Sequence, residues 1–172
     1  MGEKDALDEW AAWLLHRRDG DDPEQRQKGL ELLLPLRQRV LDNAQIVPGE
    51  IVLDVGAGDG LIAFGALDRV GVEGRVIVSD VSEDLLSHTR SVATELGVEG
   101  RMSFVRAAAE DLSTIADASV DVVTTRSVLI YVGDKASAFR EFYRVLRAGG
   151  RISLFEPINR YGLDTWRFDM AP

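Results

Sequence analysis

Apolar positions change their spacing near residue 50. Upstream they recur at helical intervals. Over residues 5–18, Leu7, Trp10, Trp13 (or Leu14) and Arg17 fall on one stripe, with Asp5 and Asp8 able to cap and charge the start. The run Asp19-Gly20-Asp21-Asp22-Pro23 breaks that helix, and a second is expected from about Glu24 to Ala44. Pro35 lies inside it, which predicts a kink or a fresh helix start, because proline removes an intrahelical N–H and crowds the preceding turn. Pro48-Gly49 then turns the chain.

Downstream, short apolar and β-branched runs appear at Ile51–Val55, Arg75–Asp80, Met102–Arg106, Val120–Thr125 and Arg151–Glu156. Unbroken runs of this kind suit parallel strands covered on both faces. Helical stretches separate them. Residues 60–70 lead to Gly71, and Ser82 caps a segment with Glu83 and Asp84 in its first turn that ends near Gly97. Asp134 opens another, with Phe139, Phe142, Tyr143 and Leu146 on one stripe and Gly149-Gly150 as the stop. A short helical turn is expected near residues 110–116. Repeated β–α–β units imply right-handed crossovers and an α/β fold with a doubly wound, mostly parallel sheet. The reading divides the chain into a helical cap (1–47), an α/β core (48–157) and a tail (158–172) that is either a substrate lid or the start of further core.

Composition narrows the chemistry. The 172 residues contain no cysteine, which excludes disulfides, Cys-ligated metals and a thiol nucleophile. The formal charge of -9 argues against a broad nucleic-acid surface, since neutralising phosphates requires clustered Lys and Arg. The apolar runs are too short for a membrane span, and MGEKDALDEW lacks the basic and apolar regions of a secretory signal, so a soluble cytoplasmic protein is expected.

The most informative segment is LDVGAGDG, residues 53–60, after the first strand and at the start of a helix. Gly56, Gly58 and Gly60 allow a tight turn and close approach of a ligand. Two ligand classes use such a site, dinucleotides and S-adenosylmethionine. A dinucleotide fingerprint wants G-x-G-x-x-G, but its third position here is Leu61, one residue after Gly60. Asp54 and Asp59 would repel a pyrophosphate and favour a ligand carrying an ammonium and a sulfonium. Asp80 ends the second strand, where a carboxylate can accept both hydroxyls of a ribose; the alternative is that it caps the next helix.

The segments VLDVGAGDG, VIVSDVSEDLL, AAAEDLS, SVDVVTTRSVLIYV and FREFYRVLRAGGRISLFEP, in this order, resemble the class I S-adenosylmethionine-dependent methyltransferases. The resemblance covers roughly residues 36–157 and is closest to the small-molecule branch of the ubiquinone/menaquinone-biosynthesis type. It implies in-line transfer of a methyl group from S-adenosyl-L-methionine to a small molecule, leaving S-adenosyl-L-homocysteine. It further implies that Asp54, Gly56 and Gly58 line the methionine and ribose portion, with Gly60 shaping the turn. Asp80 would take the ribose hydroxyls and Val81 pack on the adenine. Ala109 and Glu110 would lie along the adenine edge, and Thr125 and Arg126 would present backbone groups to the amino-acid end. Ser127 and Tyr131 would face the substrate.

Two departures from the family pattern stand out. Many relatives carry an aspartate for the adenine amino group where this chain has Ala108. The family sheet also has two further strands in an antiparallel hairpin at its edge, and the tail NRYGLDTWRFDMAP contains neither. The fifth strand would then be an apolar open edge, covered by a missing C-terminal segment or by a second chain.

Methyl transfer needs alignment and exclusion of water more than a base. Tyr131, Glu156 and His16 are weak candidates for a catalytic base. His16 reads better as a solvent-facing residue, Tyr131 equally as packing, and Glu156 also as a partner for loop backbone. His88 reads as surface. The tail aromatics Tyr161, Trp166 and Phe168, beside Arg160 and Arg167, read as a lid or as packing. Cysteine-adduct methylation of pyrimidines is excluded, the Asn/Asp-Pro-Pro-aromatic motif of DNA amino-methyltransferases is replaced by Thr124-Thr125-Arg126-Ser127, and Arg126 would repel a divalent cation, so no metal is expected. Two other readings stay open: a non-catalytic interaction partner on the cofactor fold, and an NAD-dependent oxidoreductase.

Overall fold

A computed structural model describes residues 7–18, 20 and 22–157; Asp5, Asp19, Asp21 and the tail residues Arg160, Tyr161, Trp166, Arg167 and Phe168 lie outside them. Five strands form one all-parallel sheet in the order β3-β2-β1-β4-β5: β1 Ile51–Val55, β2 Arg75–Asp80, β3 Met102–Arg106, β4 Val120–Arg126 and β5 Leu146–Phe155. The order reverses between β1 and β4. At that switch point the carboxyl ends of neighbouring strands open a crevice for ligands.

The helices are α1 Glu9–Ala12, α2 Pro23–Ala44, α3 Leu61–Val70, α4 Glu83–Glu95 and α5 Lys135–Val145. Apolar layers lie on both faces of the sheet, which is why its central strands read as unbroken apolar runs. On one face Val52, Val76, Val78 and Val122 pack with Leu41 of α2, Ile62 and Leu67 of α3 and Leu86 of α4. On the other, Leu53, Val55 and Val123 meet Leu112, Ile115 and Phe142. At about 25 cal/mol per Å² of apolar area removed from water, each large side chain so enclosed contributes on the order of 2 kcal/mol.

Three local expectations are corrected. The first helix is short: α1 is capped by Asp8, whose carboxylate accepts from Ala11 N, and passes into a π-helical turn at Trp13–Arg17. Helix α2 starts at Pro23 behind the Asp22 cap and has no fresh start at Pro35; Pro35 and Glu31, whose carbonyl loses its partner, both face solvent, and the expectation at Pro35 is not among those corrected. Residues 110–116 form turns and a bridge between Ala108 and Asp111, with no helix. On α5 the buried stripe is Ala138, Phe142 and Val145, while Phe139 and Tyr143 are exposed. That helix ends at Val145, before the glycines: Leu146 already pairs with Val120, and Gly149-Gly150 fall inside β5 beside a register irregularity. Among the described residues β5 pairs only with β4, and its Ile152 and Leu154 are exposed.

Candidate functional site

The loop Gly56–Gly60 leaves the end of β1 and enters α3. Gly56, Gly58 and Gly60 have φ of 64°, 57° and 83°, a backbone that favours glycine. A Cβ at Gly56 would also strike Val128. The loop is tied to the second strand at two points: Ala57 N donates to Ser79 O (3.0 Å), and Gly58 N donates to Asp80 Oδ2 (2.9 Å). Thr89 of α4 donates to Gly58 O (3.0 Å). Ser82 N donates to Asp80 Oδ1 (3.0 Å), and Ser82 itself caps α4 through Leu85 N. Asp80 therefore does not cap the helix. Each of its oxygens spends one acceptor site on backbone and keeps another, which suits a carboxylate presented to a vicinal diol. Burial pushes its pKa up, against the backbone N–H groups it accepts from.

Asp54 lies deeper than the resemblance implies. It is 1% exposed, with Oδ1 accepting from Thr124 Oγ1 at 2.8 Å and Oδ2 buried without a hydrogen-bond partner. Desolvation raises its pKa to about 7 despite the Thr124 bond and the Arg126 charge, so near neutrality it is only partly ionised. Asp59 in the loop pairs instead with Arg18, at 3.4 Å.

The N-terminal segment covers this end of the sheet. Asp8 N donates to Asp84 Oδ2 and Ser82 Oγ donates to Asp8 Oδ2, both at 2.6 Å, latching α1 to the start of α4. Leu14 sits over the loop, 2.9 Å from where a Cβ on Gly58 would be. Trp10 meets Tyr131 edge to face at 5.0 Å, so packing accounts for the Tyr131 ring. His16 is exposed; with Leu14, Arg18, Arg26, Asp59 and His88 it borders a pocket of about 340 Å³.

Glu156 follows β5 and accepts three backbone N–H groups. Oε1 accepts from Val128 N (2.9 Å) and Leu129 N (3.0 Å), and Oε2 from Ile130 N (3.2 Å). It anchors the loop after β4, the backbone role foreseen as its alternative. Within that loop Ser127 takes a left-handed φ of 57° and donates its N–H to Phe155 O. Arg126 ends β4 half-buried, its pKa lowered by desolvation. Ala109 is buried, Glu110 half-buried and Val81 exposed, all at the carboxyl ends of β2 and β3. Sequence reasoning missed Thr124, the partner of Asp54, and the Asp8–Ser82 latch. A threonine inside an apolar run was a signal for the first; nothing local signals a contact across 74 residues.

Comparison with known proteins gives the arrangement its relatives. A ubiquinone/menaquinone biosynthesis C-methyltransferase from Xanthomonas oryzae is 41% identical over 113 residues, 66% of this chain and 44% of that enzyme. The chain thus spans under half the length of the curated relative it matches. The YcgJ protein of Bacillus subtilis superposes with a TM-score of 0.63 at 30% identity, over 70% of this chain and 49% of that one. An arsenic(III) S-adenosylmethionine methyltransferase from Chlamydomonas reinhardtii gives 0.58 at 32% identity, over 63% and 38%. The model of the ubiE/COQ5 methyltransferase family matches residues 35–164, from the middle of α2 through all five strands, and the chain belongs to that family.

Proposed function

We propose that this chain binds S-adenosyl-L-methionine at the carboxyl edge of β1, β2 and β4 and serves methyl transfer to a small molecule. The observation that carries the reading is the link between Gly58 N and Asp80 Oδ2, at 2.9 Å. It sets a ribose-accepting carboxylate against a glycine loop that opens a helix, in a chain of a methyltransferase family. The donor set fits: Asp80 retains acceptor sites for a diol, and the loop offers backbone for close approach. When bound, the cofactor supplies a methyl group already activated on a sulfonium sulfur.

The chain's own residues then orient and enclose. Gly56, Gly58 and Gly60 shape the cradle, and Asp80 fixes the ribose. Val81, Ala109 and Glu110 border the adenine, with Glu110 and backbone serving where relatives carry the aspartate replaced by Ala108. The described N-terminal residues 7–18 cover the loop end of the core, and Leu14, Trp10 and Tyr131 keep water from the reacting end. Glu156 is held by loop backbone, and no base is assigned. The acceptor is a small molecule, as the printed name of the Xanthomonas enzyme suggests for that relative. The Ile152 and Leu154 edge of β5 is covered by further polypeptide or a second chain.

Titration calorimetry with S-adenosylmethionine, S-adenosylhomocysteine and NAD tests the reading. Binding of both sulfur compounds and not NAD is expected. NAD binding alone would establish the oxidoreductase reading, and binding of none the interaction-partner reading.

A further inference from the structure

The N-terminal segment touches three loops at the ligand edge of the sheet. Leu14 lies over Gly58 of the glycine loop, Arg18 pairs with Asp59 of the same loop, and Trp10 packs on Tyr131 in the loop after β4. Asp8 grips the third loop, after β2. Its Oδ2 accepts from the Ser82 hydroxyl, and its N–H donates to Asp84 Oδ2, both at 2.6 Å. Capping α1 takes only the other oxygen, Oδ1, which accepts from Ala11 N at 2.9 Å. The second oxygen is spent on a residue 74 positions away. Ser82 is the junction, and it is 2% exposed. Its N–H donates to Asp80 Oδ1, and its Oγ accepts from Leu85 N, each at 3.0 Å. A hydroxyl has one proton, and Asp8 holds it in a short, charge-assisted bond of the strong kind. Asp80 Oδ2 in turn accepts from Gly58 N, under Leu14. A circuit therefore runs from Asp8 through Ser82, Asp80 and Gly58 back to the N-terminal segment. Besides burial, the charge of Asp8 is among the causes that raise the Asp80 pKa, so the two carboxylates are electrostatic neighbours.

We propose that Asp8 is a positioning residue for Asp80, acting through Ser82, and that by this route the N-terminal segment and an adenosyl ligand hold each other in place. The inference rests on the cofactor-site reading above and deepens it by naming what controls that site. Asp80 is steadied on one side by Gly58 N and on the other by Ser82 N, so a ribose diol meets an acceptor whose ordering cost is already met. With Ser82 held by Asp8, the segment stays across the loop and slows the ligand's departure; exchange of ligand requires Asp8 to release Ser82. Such coupling is reciprocal: the factor by which the latch tightens the ligand is the factor by which the ligand tightens the latch.

The test uses the whole chain, wild type against Asp8→Ala and Asp8→Ser, with thermal unfolding to show that each variant folds. Serine caps a helix about as well as aspartate but carries no second oxygen for Ser82, so it separates the latch from the cap. Calorimetry reads the affinity for S-adenosylhomocysteine, and amide hydrogen exchange over residues 9–17 reads closure with and without it. In wild type the ligand is expected to slow exchange at these amides about tenfold or more. Both variants should bind it about fivefold or more weakly and lose most of that slowing. Asp8→Ser that binds and exchanges like wild type would make Asp8 a helix cap alone and overturn the proposal. Wild type that binds the ligand with exchange over 9–17 unchanged also overturns it, and leaves the cofactor reading standing. Wild type that does not bind S-adenosylhomocysteine overturns both.

Discussion

Asp54→Asn keeps the size of the side chain and an oxygen for the Thr124 hydroxyl, and removes a charge that the fold holds away from water. Unfolded, this carboxyl loses its proton near 3.8; folded, desolvation holds the proton up to about 7. Between those values the folded state binds more protons than the unfolded one, so the stability due to Asp54 falls as pH rises and levels off above the folded value. The full gap corresponds to roughly 4 kcal/mol, of which about 3 kcal/mol lies between pH 5 and 8. Asp80, also raised by burial, works in the same direction and is present in both proteins, although it is one of the charges that raise Asp54. Urea unfolding at pH 5, 6, 7 and 8 reads the effect. Wild type should lose about 3 kcal/mol relative to Asp54→Asn across that range. Stability curves that run parallel in pH would refute the burial argument.

Other consequences follow from single contacts. Asp80→Ala should weaken S-adenosylhomocysteine binding by about 1–3 kcal/mol in calorimetry through lost hydrogen bonds to a charged acceptor, and an unchanged affinity removes Asp80 from the site. Gly56→Ala should cost about 2–4 kcal/mol in urea unfolding, because alanine resists a φ of 64° and its methyl strikes Val128; a wild-type midpoint would show that the loop relaxes freely. Glu156→Ala should lower stability by about 1–3 kcal/mol by orphaning three backbone donors; unchanged stability with methyl transfer lost would make Glu156 a base after all. Asp8→Ala should cost about 1 kcal/mol by removing the α1 cap and should speed hydrogen exchange across residues 9–17.

The core was legible where one physical rule dominated. Val52, Val76 and Val122 sit in strands covered on both faces, so their neighbours had to be apolar without alternation. The glycine loop was legible because a positive φ leaves few residue choices, and Ser82 because capping is local. Legibility failed where tertiary contact chose between local options. Phe139 and Tyr143 face outward because the small Ala138, with Phe142 and Val145, is what fits against the sheet. Pro35 is tolerated because its side of α2 faces water. In the site, Asp54 was read as a charge meeting the ligand, yet its depth, its partner Thr124 and its raised pKa depend on strand register, where Asp54 lies opposite Thr124. Glu156 carried too little local signal to tell a base from an anchor until the three N–H groups of residues 128–130 were seen to converge on it.

Amide shifts of the ¹⁵N-labelled chain during titration with S-adenosylhomocysteine test the central claim most directly, since they report where the ligand sits. Saturable shifts concentrated at Gly56, Gly58, Gly60, Val81, Ser82 and Ala109 are predicted. Shifts confined to other parts of the surface, or none at millimolar ligand, would contradict it.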